Sequence, residues 1–152
     1  MEKQYTTLAQ LVLPSQANPA GNVHGGEIMK LMDSAAAVAA QRYSHTNVVT
    51  AHVDELNFKH PVYVGDFITC KAQVIFTGRT SMEVFVTVET ENLQTGAHFI
   101  AQTAFFTMVS LGADGKPQEI NQLALPEEAY ERALYYEGEK RRNSGRRRCT
   151  QK

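Results

Sequence analysis

The sequence predicts an α+β domain in which one enclosed helix is wrapped by a long antiparallel β-sheet, with a second helix near the C-terminus. Three observations carry this reading. Residues 26–43 form an apolar run with alanine at positions 35, 36, 37, 39 and 40, which favours helix. From Asn47 onward, four stretches rich in β-branched and aromatic residues follow one another. No helical stretch separates those strands, which disfavours a doubly wound parallel sheet.

The elements follow in order. "LAQLVLPSQ" is a short apolar strand or turn closed by Pro14. "NPAGNVHGG" (18–26) is a loop by composition, with Pro19 and three glycines. A helix is expected from near Gly26 to about Tyr43. Apolar residues cover more than half its circumference, so other structure must enclose it. "VVTAHVDELNF", "DFITCKAQVIFTG", "SMEVFVTVETEN" and "HFIAQTAFFTMVSL" read as strands. Met82, Val84, Val86 and Val88 alternate with Glu83, Thr87 and Glu89, which places them on opposite faces. "YVGD", "TGRTS", "NLQTG" and "GADG" supply turn chemistry between the strands, and an antiparallel meander is expected.

"PEEAYERALYYEGEKRR" (126–142) reads as a helix with Pro126 at its first position and Glu127 and Glu128 in its first turn. The expected organisation is one domain over 1–125, a C-terminal helix over 126–142, and a basic, disordered tail over 143–152. The open edge of such a sheet is most simply met by pairing with a second copy.

Composition narrows the function. The chain has 152 residues and a formal net charge of −1, divided unevenly. Residues 139–152 carry seven Lys or Arg against one Glu. No aromatic residues interleave the arginines and the body is acidic, so nucleic-acid binding is not expected. Cys70 and Cys149 fit two separate thiols rather than a disulfide framework. No leader-like opening and no apolar run of membrane-spanning length is present, and a cytoplasmic location is expected. His45, His52, His60 and His98 are scattered, with no metal-ligand spacing, so no metal is expected. No Gly-x-Ser-x-Gly elbow is present.

One residue stands against its surroundings. Asp33 lies within the apolar helix, at the boundary of its apolar face, beside Met29, Lys30, Ala36, Ala37 and Ala40. The plainest reading is a solvated aspartate paired with Lys30. Two glycines at the helix start, Gly25 and Gly26, point to something else. They let a ligand approach free backbone N–H groups at the positive end of the helix dipole. Such a site suits an oxygen that becomes negative when a carbonyl is attacked. Glu27 and Ile28 replace the Lys and Ser or Thr that a phosphate loop would carry.

The pattern N-x5-H-G-G-x6-D, met by Asn18, His24, Gly25, Gly26 and Asp33, resembles the hotdog-fold acyl-coenzyme A thioesterases. The His-Gly-Gly looks like the phenylacetate-pathway branch. "VVTAHVDELNFKHPVYVGD" and "GRTSMEV" look like the cytoplasmic acyl-coenzyme A hydrolases. The resemblance covers roughly residues 8–120. It implies hydrolysis of acyl-CoA to a free carboxylic acid and CoA, with no cofactor beyond the CoA carried by the substrate. Asp33 then matches the catalytic carboxylate, as general base or nucleophile. The Gly25 N–H matches the oxyanion donor, and Asn18 a residue that positions water or thioester. His24 orients the carbonyl or the loop. Arg79, Thr80 and Ser81 match a coenzyme-binding segment; the simpler reading of that segment is a polar hairpin turn. The resemblance also implies a site at a dimer interface, with Thr50 a candidate partner for Asp33, in a homo-oligomer: a dimer at least, and a hexamer as a trimer of dimers.

Thioester chemistry suits this equipment because thiolate is a good leaving group. General acid–base help contributes about 10²–10⁴-fold, and loss of one oxyanion donor removes about 10²–10³. Two alternatives are a hydratase or dehydratase using His24 with a carboxylate, and a non-enzymatic acyl-CoA sensor. Asp33 lies nine positions past His24, which fits the hydrolase pattern better, and residues 1–17 are too short for a DNA-binding helical segment.

Overall fold

The computed structural model describes residues 5–150, with side chains as far as Gly145. Its elements are β1 (Thr6–Leu11), a 3-10 turn (Pro14–Gln16), α1 (Gly25–Ser44), β2 (Asn47–Phe58), β3 (Phe67–Thr77), β4 (Ser81–Glu91), β5 (His98–Leu111) and α2 (Ala129–Thr150). The five strands form one antiparallel sheet in the order β1-β3-β4-β5-β2.

The strands are not a simple meander. β3, β4 and β5 follow one another as hairpins, but β2 lies beyond β5 and β3 lies three strands away from it. The connection over residues 59–66 includes Pro61, which has no N–H and resists a tight hairpin. Three strand spacings are about 14 Å. Eight residues reach up to about 27 Å, so the crossing is readily made.

α1 packs on one face of the sheet. Ile28, Met32, Ala35, Ala36, Ala39 and Ala40 are buried against Val84, Val86, Val88, Ala104, Phe106 and Met108. The alanines let the helix axis approach the strands closely, and Met32 fills the remaining space. The helix ends where His45 adopts a left-handed conformation (φ 57°) and donates its N–H to the Gln41 carbonyl.

α2 covers the opposite face. Gly138 sits against Phe76 and Ile75, and the rings of Phe76 and Tyr135 meet edge to face at 5.0 Å. Near its far end Arg141 lies over the Phe105 ring, 3.6 Å from its centroid, and pairs with Asp54, Glu55 and Glu137, each at 2.8 Å.

The helix differs from the expected 126–142 at both ends. Pro126 lies outside it, with its carbonyl accepting from the Arg132 guanidinium at 3.1 Å. At the other end the helix continues through 143–150, where disorder was expected. Arg146, Arg147 and Arg148 are good helix formers and offset the glycine at 145. Residues 151 and 152 and the Cys149 side chain lie outside the described residues.

Among the described residues, β2 has a single strand neighbour. It is twelve residues long and mostly exposed, with Val49 and Phe58 uncovered. No described helix is long and apolar enough to cross a membrane.

Candidate active site

Asp33 is exposed, on the second turn past the α1 N-terminus, and it does not pair with Lys30. Lys30 turns back to Glu27 at 3.4 Å. Asp33 instead accepts a 2.6 Å hydrogen bond from the Thr50 hydroxyl on β2. The same hydroxyl lies 3.4 Å from the Met108 sulfur. One carboxylate oxygen is thus held, and the other is left for chemistry. Thr50, expected to reach Asp33 across a subunit interface, meets it within one chain.

Asn18, His24 and Gly25 form a second group. The Asn18 side-chain oxygen accepts from the N–H groups of Ala20 (3.0 Å) and Asn22 (3.2 Å), closing the loop on itself. Its NH₂ is then the end available to a ligand. His24 is the N-cap residue of α1 but makes no capping bond with its side chain. Its backbone is fixed on both sides, with the N–H donating to Gln16 (3.1 Å) and the carbonyl accepting from Glu27 (3.0 Å). The imidazole is exposed. Gly25 opens the helix, so its N–H has no intrahelical acceptor. A Cβ at this position would lie 3.2 Å from the Phe58 ring, so a larger residue would require that ring to shift by a few tenths of an ångström.

Gly25 borders a cavity of about 340 Å³, lined also by Ile28, Phe58, Lys59, Val62 and Gln102. Lys59 and the helix N-terminus both make its potential positive. Gln102 was not singled out from the sequence. It is 1% exposed, and neither polar atom of its carboxamide has a hydrogen-bond partner among the described residues. The signal was present: Gln102 is in phase with Ala104, Phe106 and Met108, so a carboxamide occupies an apolar face.

The two groups do not meet within one chain. Gly25 and Asp33 are eight residues apart on α1, about 12 Å along its axis. Reacting groups come within roughly 3–3.5 Å, so a carbonyl held at the Gly25 N–H is too far for direct attack by Asp33 of the same helix. The turn at Arg79, Thr80 and Ser81 is apart from both. Thr80 accepts from the Ser110 N–H at 2.9 Å, and Ser110 bonds Thr46 just past the C-terminal end of α1. Arg79 is exposed and pairs with Glu119 at 3.0 Å. Cys70 is buried on β3, and burial pushes its thiol up to about 12, so it stays protonated and is no nucleophile.

A sheet curled around one helix, with polar groups at that helix's start and midpoint, is a hotdog domain. A family model described as the thioesterase superfamily matches residues 20–97, just over half the chain. The chain belongs to that superfamily. It is 41% identical over 138 residues to the cytosolic acyl coenzyme A thioester hydrolase of Mus musculus, covering 90% of this chain. The match spans only 36% of the mouse protein, so the chain corresponds to about a third of that relative.

Solved structures agree. The crystal structure of an apo-hexameric acyl-CoA thioesterase superposes with a TM-score of 0.89 at 36% identity, over 95% of this chain and 92% of that one. The acyl-CoA hydrolase of Staphylococcus aureus, solved with butyryl coenzyme A, coenzyme A and coenzyme A disulfide, superposes with a TM-score of 0.85 at 29% identity, over 97% and 91%. That hydrolase has also been solved with an aspartate, an asparagine and a threonine each replaced by alanine.

Proposed function

We propose that this chain hydrolyses acyl-CoA to a carboxylic acid and CoA at a site assembled from two copies of itself. The observation that carries the reading is the Asp33–Thr50 hydrogen bond beside an open sheet edge. Spacing supports the assignment. The asparagine, aspartate and threonine replaced in the S. aureus hydrolase are separated by 15 and 17 positions, as are Asn18, Asp33 and Thr50.

The edge strand supplies the geometry for two copies. A two-fold axis at Asp54, just past the middle of β2, pairs the strand antiparallel with its partner. Thr50 lies near one end of β2 and Phe58 at the other. The pairing therefore sets Thr50 near Phe58 of the partner subunit, and Phe58 packs on Gly25. Each composite site then joins Asp33 and Thr50 of one copy to the Gly25 N–H and Asn18 of the other. That arrangement closes the 12 Å gap that a single helix imposes.

In this site Asp33 supplies a negative oxygen, as general base on water or as nucleophile. Thr50 fixes its orientation. The Gly25 N–H, at the positive end of α1, stabilises the oxyanion as the carbonyl is attacked. The Asn18 NH₂ positions water or the thioester, and His24 orients the loop. CoA leaves as thiolate, and no further cofactor enters the scheme. Arg79, with Thr80 and Ser81, contributes a charge-assisted contact to a CoA phosphate. Dimers of this kind assemble further into a hexamer, a trimer of dimers, operating in the cytoplasm.

The test is thiol release from short-, medium- and long-chain and aromatic acyl-CoA, with wild type beside Asp33→Asn. Release by wild type that falls about 10²–10⁴-fold in a folded variant is expected. No release by wild type from any substrate contradicts the reading.

A further inference from the structure

The proposed site has one backbone donor for the oxyanion, and a single donor is half of the usual pair. The structure contains a second candidate in the same cavity. Gln102 on β5 lies between Phe58 on β2 and Val88 on β4, on the sheet face that α1 covers. Its side chain lines the cavity at the α1 N-terminus together with Gly25.

Its hydrogen bonding is the unusual feature. Both Nε2 and Oε1 are buried without a partner among the described residues. A carboxamide in this position weakens the fold, because a buried polar group has lost its water and gained nothing in return. A methionine or leucine of similar size would pack there without that penalty. The stability account therefore gives no reason for glutamine. A ligand that needs a donor in the cavity does.

Resting on the acyl-CoA hydrolase reading, we infer that the Gln102 Nε2–H is the second oxyanion donor, meeting the thioester oxygen beside the Gly25 N–H. With Asp33 as general base, the carboxylate takes a proton from water as the water oxygen bonds to the thioester carbon, and the C=O electron pair moves onto its oxygen, where the two donors hold it. Collapse of that intermediate restores C=O and expels the thiolate. Gln102 transfers no proton in this scheme.

The experiment measures kcat, KM and thermal unfolding for wild type, Gln102→Met and Gln102→Glu in the full-length oligomer, using the best acyl-CoA substrate of the wild type. Gln102→Met removes the donor at nearly constant volume. Its kcat is expected to fall about 10²–10³-fold with KM changed far less, and its melting temperature to hold or rise. Gln102→Glu replaces the donor with an acceptor and is expected to lose at least as much kcat. Activity loss together with undiminished stability is the signature, since a structural role would lower both. Unchanged kcat in Gln102→Met overturns the inference and leaves the hydrolase reading standing. A Gln102→Met variant that unfolds also overturns it, because a side chain without native bonds should not be needed for folding. Wild type that releases no thiol removes the hydrolase reading and the inference with it.

Discussion

The Thr50 hydroxyl donates to Asp33 at 2.6 Å, tying a helix carboxylate to the edge strand of the sheet. Two consequences follow. The bond fixes which Asp33 oxygen is held and which is left open, and it places the carboxylate beside the exposed edge strand of the sheet.

Replacing Thr50 with valine keeps the shape and removes the donor. A hydrogen bond to a charged group contributes about 1.5–3 kcal/mol, so kcat is expected to fall roughly 10–100-fold. Thr50 is exposed in the single chain, so the melting temperature is expected to fall by only a few degrees, far short of unfolding at the assay temperature. Steady-state kinetics and a thermal melt of Thr50→Val check this; an unchanged kcat would show that the bond does not orient Asp33.

Glu83 on β4 gives a pH prediction. Burial raises its carboxyl to about 7, against the opposing pull of the Thr107 hydroxyl and the Arg141 and Arg142 guanidiniums. Thr107 donates to both carboxylate oxygens, at 3.0 and 2.9 Å. The folded value lies above the ordinary one of 4.5, so the folded state holds this proton more tightly. Its stabilising contribution is complete below about pH 4.5 and is lost as pH rises through 7. Between pH 4.5 and 8.5, wild type is expected to lose on the order of 3 kcal/mol more stability than Glu83→Gln. Urea unfolding of both proteins across that range measures the difference, and parallel pH curves would refute it.

Gly138 sets helix propensity against packing. Alanine is better than glycine within a helix by about 1 kcal/mol. A Cβ at Gly138 would lie 2.5 Å from the Phe76 Cβ and 3.2 Å from Ile75 Cγ1, pushing α2 off the sheet. Overpacking of this kind costs about 1–3 kcal/mol, so Gly138→Ala is expected to be destabilised overall. Chemical denaturation decides the sign; a stabilised variant would mean α2 seats more loosely than its contacts imply.

Much of this was legible in the sequence. The alternation of Met82, Val84, Val86 and Val88 identified the inner face of β4, and all four are buried. The alanine run located α1 to within a residue or two. Strand order was less legible, because pairing depends on long-range contacts and local pattern identifies only neighbours joined by tight turns. Glu83 illustrates the limit. Its phase with Thr87 and Glu89 reads as a polar outer face, yet α2 covers that face and buries it to 2% exposure. At the site, the irregularity of Asp33 in an apolar helix was informative, and Gln102 on an apolar strand face carried the same kind of signal. The separation of the helix start from Asp33, about two turns, was legible too; what the residues could not show is that Thr50 meets Asp33 within one chain, because that contact joins a helix to a strand.

The most direct test of the composite site mixes two inactive variants. Asp33→Asn and Asn18→Ala chains are prepared separately, each with little thiol-releasing activity, then denatured and refolded together at equal ratio. If each site joins Asp33 of one copy to Asn18 of the other, every mixed dimer contains one site with both residues intact. Random pairing makes half the dimers mixed, so activity is expected to return to about a quarter of wild type. Activity that stays at the level of the separate variants, in a mixture shown by mass to contain mixed dimers, would contradict the account.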